Sequence, residues 1–162
     1  IDNHWEFNSG MEIHTGTNLT QEGVFEPFEI VKGVTVPTGE YKHQEAQLVY
    51  WSNQSAPFSV NFRSFIGGFF GGDRKNLDST IRYRVGDKFT SELTWSHSGI
   101  DLPVPGGDFE VDIARFRATY AFSPRMTIQT LVQYNKRDDI LSTNLRFAWL
   151  QSANAGLYIV YN

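Results

Sequence analysis

Apolar and polar side chains alternate along most of this chain, most clearly in residues 141–149. Phe147 and Trp149 fall on one side of an extended chain, whereas Asn144 and Arg146 fall on the other. Successive side chains of a β-strand point to opposite sides, so this pattern predicts a strand with one apolar and one polar face. The same pattern recurs along the chain and predicts an all-β protein.

The alternation predicts about nine strands joined as an antiparallel up-and-down meander. Several strands reach the roughly 9–11 residues that a tilted strand needs to cross a bilayer. Repeated glycines and prolines predict an irregular segment at 15–39. The predicted strands are 4–14, 40–51, 57–68, 76–85, 88–97, 108–122, 125–135, 141–149 and the residues from Gly156 onwards.

The predicted connections differ in length between the two ends of the strands. Short connections are expected at 52–56, 86–88, 123–125 and 151–155, and longer ones at 67–75 and 98–107. Short turns at one end and long loops at the other are typical of outer-membrane barrels. The pattern therefore predicts part of a transmembrane β-barrel.

Two local features make this prediction more specific. A three-residue loop over 86–88 keeps Val85 and Phe89 on the apolar face, and the resulting register places Arg82 opposite Glu92. The apolar phase changes within 108–122, which predicts a bulge near Ala114 or emergence from the apolar environment.

Six arginines and one glutamate share the polar phase of the predicted strands. In a barrel they would line a polar lumen that attracts anions. The alternatives are the solvated face of a soluble sheet and a lumen closed by salt bridges. The residues are Arg63, Arg82, Arg84, Glu92, Arg115, Arg117 and Arg146.

Large aromatic residues lie near the ends of the predicted strands. Aromatic belts at the two membrane interfaces produce this placement, although aromatic side chains also fill the core of a β-sandwich. The residues predicted at the membrane interfaces are Trp51, Trp95, Tyr120, Tyr134 and Trp149.

Composition excludes several other classes of protein. The 162 residues carry a net charge of -4 and form no basic tract, which argues against nucleic acid as a partner. The sequence has no cysteine, so it cannot form a disulfide framework. It also lacks the run of about 18 apolar residues that a membrane-spanning helix requires.

The sequence predicts no catalytic site, metal site or cofactor. The carboxylate pairs Glu110/Asp112 and Asp138/Asp139 lie near loop ends without a converging partner, and the four histidines lack metal-ligand spacing. The glycine-rich stretch 67–72 lacks the Gly-Lys-Ser/Thr ending of a phosphate-binding loop and is expected to be a flexible loop. We therefore expect no enzymatic activity.

Several stretches carry a resemblance to a known family: Phe25-Glu26-Pro27-Phe28, Gly33-Val34-Thr35-Val36-Pro37-Thr38-Gly39-Glu40-Tyr41, Arg115-Phe116-Arg117-Ala118-Thr119-Tyr120-Ala121-Phe122-Ser123-Pro124-Arg125, Gln133-Tyr134-Asn135, Ser142-Thr143-Asn144-Leu145-Arg146-Phe147-Ala148-Trp149, and Leu157-Tyr158-Ile159-Val160-Tyr161-Asn162. The chain resembles the C-terminal barrel of the domain-of-unknown-function 5916 family over most of residues 24–162. The resemblance implies an outer-membrane-type barrel, often preceded by a domain similar to family 9 carbohydrate-binding modules. Some members are labelled hydrolases.

Together these features predict that residues 1–162 form a single segment of a larger barrel in the bacterial outer membrane, in contact with lipid. Its expected role is a pore, an uptake channel or a membrane anchor, with carbohydrate as a partner through a separate N-terminal domain. The alternatives are a soluble β-barrel or sandwich that binds a small ligand or glycan, and a hydrolase-associated domain. By itself the segment is expected to form an open sheet.

Overall fold

The computed structural model describes residues 2–152 and 155–162. These residues form twelve strands: β1 (Asp2–Glu6), β2 (Glu12–Val24), β3 (Phe28–Val31), β4 (Val34–Val36), β5 (Gly39–Trp51), β6 (Phe58–Phe69), β7 (Gly72–Val85), β8 (Phe89–Asp101), β9 (Asp108–Ser123), β10 (Met126–Asn135), β11 (Ile140–Ser152) and β12 (Ala155–Tyr161). None of the described residues lies in a helix that is long and apolar enough to span a membrane.

Ten of these strands form one antiparallel sheet in the order β1-β2-β5-β6-β7-β8-β9-β10-β11-β12, and β3 and β4 pair separately as a hairpin. The predicted all-β antiparallel meander is therefore confirmed. Among the described residues no ladder joins β1 to β12, so the predicted open sheet is also confirmed. The predicted count of nine strands is wrong.

The extra strands come from two segments that the alternation pattern misjudged. Residues 4–14 were expected to form one strand, but a turn at Phe7–Met11 divides them between β1 and β2. Residues 15–39 were expected to be irregular, yet most of them lie in β2, β3 and β4. β2 is rich in Thr, Asn and Gln on both faces, so it lacks the apolar periodicity that identifies a strand.

The connections are shorter than predicted at two places. The expected flexible loop at 67–72 is wrong, because β6 and β7 are joined by only Phe70 and Gly71, both with positive φ (47° and 81°). β8 continues to Asp101, which leaves 102–107 as the connection to β9. The predicted three-residue loop over 86–88 is confirmed. The connection predicted at 151–155 includes residues 153–154, which lie outside the described residues.

The buried core is small and lies at one end of the sheet. Val34, Val36, Phe70 and Leu102 form it, and partly buried side chains of the large sheet pack against it, including Ile100 and Phe109. Register places Ile100 and Phe109 opposite each other on the same face as Arg82. The β3–β4 hairpin therefore covers one end of the arginine-bearing face.

This hairpin explains one of the apolar residues that change the phase in the first half of β9. The register between β8 and β9 runs without interruption from Asp101↔Asp108 to Phe89↔Tyr120, so the predicted bulge near Ala114 is wrong. Phe109, on the same face as Val111 and Ile113, packs against the hairpin core. Burial under a neighbouring element changes the pattern without any change in strand register.

Candidate functional site

The strand register places the arginines on one face of the sheet and most of the large exposed apolar side chains on the other. Cross-strand pairs such as Val49↔Arg63, Arg82↔Glu92 and Gln129↔Arg146 connect the polar positions from β5 to β11. Directly paired residues point to the same side of a sheet. All seven residues predicted for the polar face therefore lie on one face, which we call the arginine face: Arg63, Arg82, Arg84, Glu92, Arg115, Arg117 and Arg146.

Three charged residues on neighbouring strands lie side by side near the centre of the arginine face. The guanidinium of Arg82 donates hydrogen bonds to Glu92 Oε2 from Nε (3.2 Å) and from an Nη atom (2.7 Å). Arg117 lies directly opposite Glu92 on the other side. The three residues thus place two guanidinium groups beside one carboxylate, which leaves positive charge available at the surface.

The other predicted arginines make polar contacts or occupy defined positions on the same face. Arg84 donates to the backbone carbonyl of Ser55 (2.7 Å), and Arg115 Nε donates to Gln133 Oε1 (3.3 Å). Arg63 lies opposite Asp78, and Arg146 lies opposite Gln129. From β7 to β11, the predicted set contributes five arginines and one glutamate, a balance of +4.

A second ion pair, which the sequence analysis missed, lies beneath the hairpin end of the arginine face. Glu45 is buried and accepts hydrogen bonds from Arg74, including one from Nε (3.0 Å). Gly67 of β6 is paired with Glu45 of β5 on one side and with Arg74 of β7 on the other. The absence of a side chain at Gly67 lets Arg74 reach Glu45 across the intervening strand. Arg74 also lies 4.4 Å from the centre of the Phe69 ring.

The opposite face, which we call the apolar face, carries large side chains that the described residues leave uncovered. Ile81, Leu93, Phe116 and Leu145 in its middle are each about two-fifths exposed. β5 shows the contrast between the faces, because Val49 on the arginine face is 2% exposed and its neighbour Leu48 is 42% exposed.

Four of the five predicted interface aromatics lie on the apolar face at two levels. At one level, Trp95 and Tyr134 are paired with Ala114 from its two sides. At the other level, near the turns over 86–88 and 124–125, Tyr120 is paired with Phe89 and Trp149 with Met126. Trp51 lies on the arginine face instead, paired with Asn61, and its ring contacts His14 edge-on at 4.9 Å. The sequence placed Trp51 with the others because it lies at a strand end.

Charged residues border the apolar face beyond the level of Trp95. Asp112 accepts hydrogen bonds from His97 Nδ1 (2.8 Å) and Lys136 Nζ (3.0 Å). These bonds, first that from His97 and then that from Lys136, hold the pKa of Asp112 below its usual range. The same carboxylate raises the pKa of Lys136. The apolar side chains therefore end at a polar border.

The histidines, predicted to be scattered, include one close group. Register pairs His4 with His14 across the β1–β2 hairpin, and Glu12 lies two residues before His14 on the same face. The three side chains offer ligand atoms that lie within 4.8 Å of one another. This group was not predicted from the sequence, because residues 4–14 were expected to form one strand.

Comparison with protein-family models, with curated proteins and with solved structures finds no match for this chain. The resemblance described from the sequence therefore stays a prediction.

Proposed function

We propose that this chain forms part of the wall of a transmembrane β-barrel in the bacterial outer membrane. In this proposal the apolar face contacts lipid and the arginine face lines a polar lumen. The observation that carries it is the uncovered band of aliphatic and aromatic side chains on a single face, bordered by charged residues. Soluble monomers rarely expose apolar patches larger than a few hundred Å².

The height of the apolar band supports this proposal. Along β10, Met126 and Tyr134 are eight residues apart, which is roughly 27 Å at about 3.3–3.4 Å per residue. A strand tilt of about 40° reduces this to about 20 Å, close to the apolar band of about 25 Å on outer-membrane barrels. In soluble sheets the most common strand length is shorter, about 5–6 residues.

The proposed lumen is basic and partly filled. The surplus of arginine over carboxylate across β7–β11 would attract anionic solutes. The β3–β4 hairpin packs against the same face at the end opposite the turn over 86–88, where it would narrow the passage. We therefore favour a pore or uptake channel over a simple anchor, because an anchor needs no ordered charge on its inner face.

Open strand edges must be closed for such a wall to be stable. Unpaired backbone groups cost several kcal/mol each in the hydrocarbon region. In the proposed state β1 and β12, the edges of the described sheet, therefore pair with further strands.

Quenching of tryptophan fluorescence by brominated lipids tests the orientation of the sheet. Single-tryptophan variants of the full chain, with the other three tryptophans changed to phenylalanine, are reconstituted into vesicles with bromine on the acyl chains. Trp95 and Trp149 are expected to be quenched, and Trp51, on the other face, serves as the matched control. Equal quenching of all three tryptophans in vesicles that contain the inserted chain would contradict the proposal.

Ion conductance in planar bilayers tests the lumen. Arg117→Glu is expected to lower the ratio of anion to cation permeability, because it reverses a charge on the arginine face. Lys88→Glu makes the same charge change in the turn between β7 and β8 and is expected to have a smaller effect. An unchanged permeability ratio in Arg117→Glu would contradict a lumen lined by the arginine face.

A further inference from the structure

The β1–β2 hairpin brings four polar side chains together on the arginine face. β1 contributes His4 and Glu6, and β2 contributes Glu12 and His14, with His4 paired to His14 and Glu6 to Glu12. The two imidazole rings are stacked, with centroids 3.8 Å apart and planes inclined by 22°. The turn that creates this pairing contains Gly10 at a φ of 79°, a conformation that favours glycine.

The pairing of Glu6 with Glu12 is itself unfavourable. Like charges directly opposite each other on neighbouring strands destabilise a sheet. This cost falls on β1, an edge strand of only five residues. A cation bound between the strands would remove the repulsion and hold β1 against β2.

The distances within the group match metal coordination better than hydrogen bonding. Glu12 Oε2 lies 3.4 Å from His4 Nε2 and 3.5 Å from His14 Nε2. A good hydrogen bond between such atoms measures about 2.7–3.2 Å. Ligands at about 2.0–2.1 Å from a tetrahedral zinc ion lie about 3.4 Å from each other. These two separations are close to the edge of a zinc tetrahedron, and one of the stacked histidine rings must rotate for both to direct a nitrogen at one ion.

We propose that His4, Glu12 and His14 bind one zinc ion, with water in the fourth position. Two imidazoles and one carboxylate suit zinc and related transition metals, whereas calcium and magnesium prefer oxygen ligands alone. The edge-on contact between Trp51 and His14 restricts the His14 ring. Glu6 Oε1, 3.5 Å from His4 Nε2, lies beside the group and offsets the metal's charge.

The bound ion stabilises the pairing of the edge strand β1 with β2. Metal binding that requires a folded site stabilises that site. Zinc is therefore expected to slow hydrogen exchange at the amides of β1 without changing exchange in distant strands such as β8. This inference does not depend on the proposed membrane location.

Binding of Zn²⁺ and Co²⁺ to the purified full chain tests the site. We expect one equivalent of Co²⁺ to bind with the intense visible absorption of tetrahedral cobalt, and Zn²⁺ to displace it. His4→Gln, His14→Gln and Glu12→Gln are each expected to weaken binding at least as much as loss of an outer-shell partner does, about 10–100-fold. His97→Gln, which removes a histidine from the opposite face, is the control.

Two results would overturn the proposal. One is the absence of saturable binding of one metal ion by the unmodified chain, which needs no variant to fold. The other is a loss of affinity in His97→Gln as large as that in His14→Gln. Hydrogen exchange at β8 reports whether each variant keeps the sheet, so a misfolded variant is not mistaken for a lost ligand.

Discussion

Arg82 donates two hydrogen bonds to one carboxylate oxygen of Glu92 across the β7–β8 pair. The sequence predicted this register from the length of the loop over 86–88, and the structure confirms it. The pair lies near the middle of the arginine face, where the register also places Arg117 beside Glu92.

A double-mutant cycle with Arg82→Ala and Glu92→Ala is expected to give a coupling energy of about 0.2–1 kcal/mol, because the pair is directly opposed but partly exposed. Chemical denaturation measures the free energies of unfolding. The control cycle combines Glu92→Ala with Arg146→Ala, three strands away, and should be additive within about 0.5 kcal/mol. Equal coupling in both cycles would count against the direct contact.

The docking of the β3–β4 hairpin depends on Val36, which is 1% exposed. Val36→Ala is expected to weaken docking by about 1–2 kcal/mol, at about 0.8 kcal/mol for each buried carbon removed. Faster hydrogen exchange at the amides of β3 and β4 measures this loss. Val85→Ala removes the same atoms from a half-exposed position and should leave hairpin exchange unchanged; equal effects would refute the packing argument.

Gly67→Ala is expected to destabilise the sheet by more than about 1 kcal/mol. Its φ is 153°, and a Cβ atom there would lie 2.2 Å from the carbonyl oxygen of Gln44. The change should also separate Glu45 from Arg74. Gly23→Ala is the control, because its Cβ would meet only the Phe25 ring at 3.6 Å. The thermal unfolding midpoints distinguish the two, and similar midpoints would contradict this account.

The bonds around Asp112 predict a pH-dependent contribution to stability. Its pKa in the folded state lies below the ordinary value of 3.8, so its ionised form is favoured by folding. This contribution is present above that ordinary value and is lost as the pH falls through the folded-state pKa. The unfolding midpoints of the wild type and of Asp112→Asn should therefore converge in acid. A constant difference between the two midpoints down to strongly acidic pH would contradict this account.

The histidine group shows how one turn changes the chemistry of a segment. In a continuous strand over 4–14, His4 and His14 would be roughly 33 Å apart at about 3.3 Å per residue. The turn residues Asn8, Ser9 and Gly10 were the available signal, because such residues commonly end strands. The apolar alternation on either side concealed them.

Within the strands from β6 to β11, the sequence by itself determined which charged residues share a face. Side chains of a strand alternate with a period of two, so Arg117 and Tyr120 had to lie on opposite faces once β9 was recognised. Turn length then determined the pairing of Arg82 with Glu92. Both are local properties of an extended chain and require no knowledge of distant contacts.

Only the tertiary structure decided where the β3–β4 hairpin packs and which residues meet beneath it. Phe109 is partly buried because the β3–β4 hairpin, more than seventy residues earlier in the chain, packs against it. The pairing of His4 with His14 and the ion pair of Glu45 with Arg74 likewise depend on a turn and on strand register. Burial and contact arise between segments, and alternation within one segment carries no information about what covers it.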